Sequence, residues 1–205
     1  MSVSMHKISV PVFKQMLTAL KTILAQASEH ALAKSIEPQA VLQARLYLDM
    51  FPLLKQVQIA ADFARGISAR LAGIDVPVYE GKEQSFADLD ALLNQTLTFM
   101  DNIDASRFEG SETKEIVLRA GTPKEKTLSG QAYLTNYGVP QFFFHVTTAY
   151  ALLREGGVDL APQLGNIVKS SSRTALCTWS YTVSYMARSS SPSIGSLRVG
   201  DSRFW

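Results

Sequence analysis

The chain has 205 residues, room for one domain with a substantial core. Its apolar content is 46% and its formal charge +2, values that suit a globular protein and single out no partner. The last 40 residues hold five basic side chains against one acidic, so the body before them is mildly acidic and a poor nucleic-acid surface.

From Val10 to about Lys34, apolar residues recur at three- and four-residue steps (Val12, Met16, Leu20, Ile23, Leu24) and predict a helix. Pro11 suits its first turn, where a missing N–H costs nothing. Glu37 before Pro38 closes it, because the residue preceding proline is driven out of the helical region. A second helical pattern covers about Pro38 to Leu71, with Leu42, Leu46, Leu53, Phe63 and Ile67 on apolar faces. Pro52 should kink or split it, and Gly73 stands where a C-terminal cap belongs. A third helix opens with a capping box, Ser85 to Asp88, before Leu89, Leu92, Leu93, Phe99 and Ile103. Residues 115–128 change period around a Gly-Thr-Pro turn and predict a small hairpin or an ordered loop. A short helix follows in "SGQAYLTNYG", and a last helix runs from Pro140 to about Glu155, closed by Gly156-Gly157.

Lys7 and Lys14 interrupt the N-terminal hydrophobicity, so no signal peptide or membrane span is expected and the protein is read as cytoplasmic. The single cysteine, Cys177, excludes an internal disulfide and a cysteine-based zinc site. Residues 1–165 therefore read as the folded domain. Residues 166–205 form a tail rich in serine and arginine, without sustained helical period, that holds both tryptophans. That tail reads as a disordered extension or a non-native gene end rather than a docking segment.

The polar residues that could carry chemistry fall on two helices. On the last, Gln141 and His145 are four apart and share a face with Thr148, amid Phe142, Phe143, Val146 and Leu152. A buried imidazole there needs partners for its nitrogens. On the second helix, Arg45, Asp49 and Gln56 form one stripe if Pro52 leaves the register intact, and Gln58 with Asp62 forms another. The first stripe lies closer to the apolar face and is expected to point inward, with Arg45 pairing with Asp49. His145 is then a satisfied core group, a ligand-pocket residue or a metal ligand. A first shell of three or four donors is not available to it. Phosphate-binding loops and a nucleophile elbow are both missing.

The stretches "SVPVFKQML", "ARLYLDMFPLLKQVQIAADFARGISARLAG", "SFADLDALL" and "FFFHVTTAYALLREGGVDL" together resemble a domain-of-unknown-function family numbered nineteen ninety-three, within the DinB-like superfamily. The resemblance spans about residues 4–163. It implies an all-α fold, an antiparallel DinB-like four-helix bundle with a hairpin insertion before the last helix. Members of the superfamily often bind a divalent metal through three histidines, one on the second helix and a pair four apart on the last. His145 matches the second of that pair, Gln141 stands where the first would be, and Gln56 lies about where the second-helix histidine would be. Amides replace two ligands of three, so the resemblance implies a pocket without a metal, and no cofactor is expected.

Two functions follow as expectations. One is a small-molecule-binding bundle, a metal-independent tailoring enzyme of a specialised-metabolite pathway. There His145 and Asp49 would be the catalytic pair, and Arg45, Gln56, Gln141 and Thr148 would contact substrate. The other is a non-catalytic bundle that dimerises, with His145 a packing residue. Neither involves nucleic acid or membrane.

Overall fold

Side chains spaced for one face of a helix build a mostly helical protein in this computed structural model, which describes residues 4–160. The tail from Asn166 lies outside the described residues.

Helix α1 spans Met5–Ala33, starting earlier than the periodicity predicted. Met5, Ser9 and Val10 already belong to the buried stripe that Phe13, Leu17, Leu20, Ile23 and Leu24 continue, so burial draws the extra turn into the helix. Pro11 therefore sits inside the helix rather than at its start. It lies on the exposed side, and the buried residues around it offset the hydrogen bond it removes. By length and composition alone α1 could cross a membrane. However, Phe13, Leu17 and Leu20 are fully buried against the rest of the fold.

The segment expected as one helix from Pro38 is two, α2 (Pro38–Leu42) and α3 (Leu53–Ala72), separated by ten non-helical residues. Pro52 fixes where α3 begins: it caps that helix in an extended conformation (ψ 164°), and with no N–H of its own it cannot carry a helix forward from the loop before it. The intervening loop closes on itself instead, with the Leu53 N–H donating to the Ala44 carbonyl at 3.0 Å and the Met50 N–H to the Tyr47 carbonyl at 3.0 Å. Leu46, expected on an apolar helix face, is consequently exposed in this loop. Gly73 ends α3 in the left-handed region at φ 69°, as its position suggested.

Helix α4 (Phe86–Asp101) opens with the expected capping box. The Ser85 hydroxyl accepts from the Asp88 N–H at 3.1 Å, and the Asp88 carboxylate accepts from the Ser85 N–H at 3.0 Å. The Gln84 N–H donating to the Asp88 carboxylate, and after it the Ser85 donors, hold that carboxyl below its ordinary range. Replacing Ser85 with alanine is expected to cost about 1 kcal/mol in urea unfolding, the usual loss for an N-cap hydroxyl.

Between α4 and the last helix run a 3₁₀ turn (Ala105–Phe108) and an antiparallel hairpin of β1 (Glu115–Leu118) and β2 (Lys126–Ser129), with Ile116 opposite Leu128. A helical run then extends unbroken through α5 (Gly130–Ala132), a π-helical segment (Tyr133–Gly138) and α6 (Val139–Glu155). The expected break before Pro140 is absent. The wider π turn accommodates the proline, which has no N–H to donate and whose ring crowds the carbonyl four residues back. The long helices α1, α3, α4 and α6 pack on one another, α3 against α6 most extensively. Gly138 permits that closeness, since a Cβ there would lie 2.7 Å from the Ile67 Cδ1.

Candidate functional site

His145 is 7% exposed and sits on the face of α6 that packs on α3. Its Nδ1 lies 2.7 Å from the Oε1 of Gln56, in the first turn of α3. Gln56 is itself buried, and its Nε2 donates to the Phe51 carbonyl at 3.0 Å. A carbonyl can only accept, so the amide nitrogen must face Phe51 and the amide oxygen must face the imidazole. That oxygen in turn requires the proton on Nδ1. In the neutral ring Nε2 is therefore the acceptor, and it has no hydrogen-bond partner among the described residues. Burial lowers the His145 pKa below its ordinary 6.5, which favours this neutral form. The ring stacks on Phe63 (centroids 5.8 Å apart, planes at 18°), while Phe144 meets it edge-on at 5.2 Å.

Other expected site residues are placed differently. Arg45 and Asp49 are exposed in the loop ahead of α3, because the ten non-helical residues between α2 and α3 end the register that would have set them in line with Gln56. The Arg45 guanidinium donates to the Met50 carbonyl at 2.8 Å, and the expected pairing with Asp49 does not form. Gln141 is exposed as well. At about 100° per residue it lies roughly 70° from the centre of the buried arc of α6. In the first turn of α6 nothing covers that rim. Thr148 is buried, but its hydroxyl donates to the Phe144 carbonyl of its own helix at 2.7 Å and not to the imidazole. Of the six candidates, the structure joins only His145 and Gln56.

Of the second polar stripe of α3, Gln58 is buried and Asp62 is exposed, so neither stripe turns inward whole. The Gln58 amide donates to the Glu83 carboxylate at 2.6 Å, tying α3 to the loop before α4. Asp62 accepts from the Arg65 Nη2 at 2.6 Å. Arg65 is buried with its guanidinium 3.6 Å from the Tyr79 ring centroid, a cation–π contact that faces a charge whose Nε and Nη1 lack hydrogen-bond partners.

Beyond Phe63 opens a cleft of about 190 Å³, lined by Asp62, Phe63 and Arg70 of α3, Leu118 and Arg119 at the end of β1, and Tyr133 and Tyr137 of the π segment. Phe63 is thus shared, lining the cleft while its ring stacks on the histidine. Tyr137 meets Phe63 at 60° and Tyr133 at 24°, giving a continuous aromatic surface. Burial raises the Tyr133 pKa above its ordinary 10.0, with Arg70 opposing, so the phenol keeps its proton. Burial likewise raises the Asp62 carboxyl, against the pull of Arg65 and Lys55. Sequence reasoning passed over Tyr133, Tyr137 and Arg70. The two tyrosines stand four apart, and that spacing was a usable signal; nothing local marks Arg119.

The site does not fit a divalent metal. A tetrahedral centre needs three or four imidazole, thiolate or carboxylate donors. Here one imidazole has Nδ1 engaged by an amide, Gln141 is turned to solvent, and the described residues contain no group of three histidine, cysteine or acidic side chains.

The mostly helical body has a DinB-like counterpart among solved structures. The chain is similar to a solved DinB family member protein from Shewanella denitrificans, with 31% identity, a TM-score of 0.72, and 76% of this chain and 88% of that one covered. It belongs to the family described as a domain of unknown function, DUF1993, whose model matches residues 5–163. None of the curated proteins matches it.

Proposed function

We propose that the protein is a cytoplasmic DinB-like four-helix bundle that binds a small organic molecule beside His145 without a metal. The observation that carries this reading is the fixed tautomer. Gln56 commits the Nδ1 proton, which leaves Nε2 as an acceptor on a ring stacked against a wall of the cleft. A buried imidazole with a lowered pKa is a hydrogen-bond acceptor and a weak base rather than a resident cation. It would orient a ligand hydroxyl or amide proton, or take such a proton in a tailoring reaction. Gln56 Oε1 would then hold the Nδ1 proton in place.

Native mass spectrometry of protein purified without chelator tests this directly. An organic molecule should remain bound to the wild type and be missing from His145→Gln at equal foldedness. Retention of the same molecule by the variant would refute the assignment.

One observation supports a second reading, a non-catalytic self-associating bundle. Tyr47, Leu48 and Phe51 in the loop before α3 are all exposed, as is Phe144 on α6. Sedimentation that stays monomeric at high concentration would dispose of it.

A further inference from the structure

The cleft behind Phe63 carries two guanidinium groups that the fold leaves uncommitted. Arg70 makes one long hydrogen bond, 3.4 Å to the Tyr133 hydroxyl. Arg119 has no ion pair among the described residues, and its backbone is held at φ 53°, a left-handed conformation that costs energy for any residue but glycine. The one acidic group of the lining, Asp62, is already bonded to Arg65 from outside the cleft. Counted on its own side chains, Arg70 and Arg119 against Asp62, the lining carries a net positive charge of one unit. Arg70 and Arg119 approach it from different elements, the helix and the hairpin. Phe63, Tyr137 and Tyr133 supply flat apolar surface beside that charge. A volume of about 190 Å³ is below the range of drug-sized sites and suits a single ring with a short substituent.

We propose that this cleft binds an aromatic monocarboxylate, with its ring on the Phe63–Tyr137–Tyr133 surface and its carboxylate between Arg70 and Arg119. Guanidinium forks match the two oxygens of a carboxylate, and the unit charge matches a monoanion. The Tyr133 hydroxyl, which accepts from Arg70, keeps its own proton to donate. This rests on the reading of the protein as a small-molecule binder and names a ligand class for the cleft, whose lining includes neither His145 nor Gln56.

Calorimetric titration with benzoate and phenylacetate tests it. Acetate serves as the ringless control, benzamide as the neutral one and benzylamine as the cationic one. At least one aryl carboxylate should bind, with acetate, benzamide and benzylamine at least about tenfold weaker. Arg119→Gln, at an exposed hairpin position that leaves the core untouched, should weaken the carboxylate at least about tenfold, and Arg70→Gln should do the same. Saturation by benzamide as tight as by benzoate, wild-type carboxylate affinity in either arginine variant, or no carboxylate binding up to about 10 mM would each overturn the proposal. If native mass spectrometry meanwhile finds a neutral molecule whose retention depends on His145, the small-molecule reading stands and only the anion assignment falls.

Discussion

Gly130→Ala should be the most damaging single-methyl change in the domain, with an expected loss of about 3 kcal/mol or more. The backbone at Gly130 is not in a left-handed conformation, so the reason is space. A Cβ built there would lie 1.8 Å from the Ser111 carbonyl oxygen and 3.0 Å from its carbon. Both are main-chain atoms that no rotamer change can move. The chain is pinned on either side, since the Gly130 N–H donates to the Lys114 carbonyl at 2.7 Å and the Gln131 N–H to the Glu112 carbonyl at 3.0 Å. Relief requires breaking those bonds or shifting the 109–114 segment away from the start of the last helical run. Gly66→Ala is the control. There the near atom is Arg70 Nη1, the far end of a flexible side chain, at 2.6 Å. A mid-helix alanine also gains up to about 1 kcal/mol in propensity. Urea midpoints should fall sharply for the first variant and hold or rise for the second. Equal midpoints would show that the 109–114 segment yields without cost.

The difference between these glycines is invisible in sequence, and it marks the boundary of what was legible. Patterns confined to one helix were readable: the Ser85–Asp88 box, the Gly73 cap, and the apolar stripes of α1 and α4. Their causes are local hydrogen bonds and a fixed angle per residue. The failures lie where a proline meets a longer-range demand. The loop ending at Pro52 breaks the register that Arg45 and Asp49 needed to reach the site, whereas Pro11 and Pro140 are absorbed into helices. Burial of Met5 and Val10, and a π turn before Val139, decide those outcomes, and both depend on packing partners far along the chain. The candidate site divides in the same way. His145 and Gln56 were recoverable because the superfamily resemblance aligned them across 89 positions. The cleft was not, because it joins α3, the hairpin and the π segment, three elements whose meeting no periodicity encodes.

Gln56→Leu should cost about 2–4 kcal/mol, because one amide serves two buried groups at once. Leucine fills a similar volume but leaves the His145 Nδ1–H and the Phe51 carbonyl without their partners at 2.7 and 3.0 Å. Each orphaned group costs about 1–3 kcal/mol, less whatever water recovers at the Phe51 end. The same pair predicts an acid sensitivity. Burial places the folded-state pKa of His145 below its ordinary 6.5, so the unfolded chain binds the proton more readily than the folded one. Stability from this group is complete above about pH 6.5 and is lost as the pH falls from there toward the folded-state pKa. Asp62, whose carboxyl is raised above 3.8 by burial, acts with the opposite sign, so it does not mimic the effect. Unfolding free energies measured at about pH 7.5 and about pH 5.5 should therefore drop more for the wild type than for His145→Gln, which has no proton to gain. Other titrating groups are common to both proteins and cancel in the comparison. Parallel losses would mean that the imidazole is charged in the folded protein at the lower pH. In that case Gln56 Oε1 alone would be enough to stabilise the cation, and the neutral acceptor assigned to Nε2 would be lost at that pH.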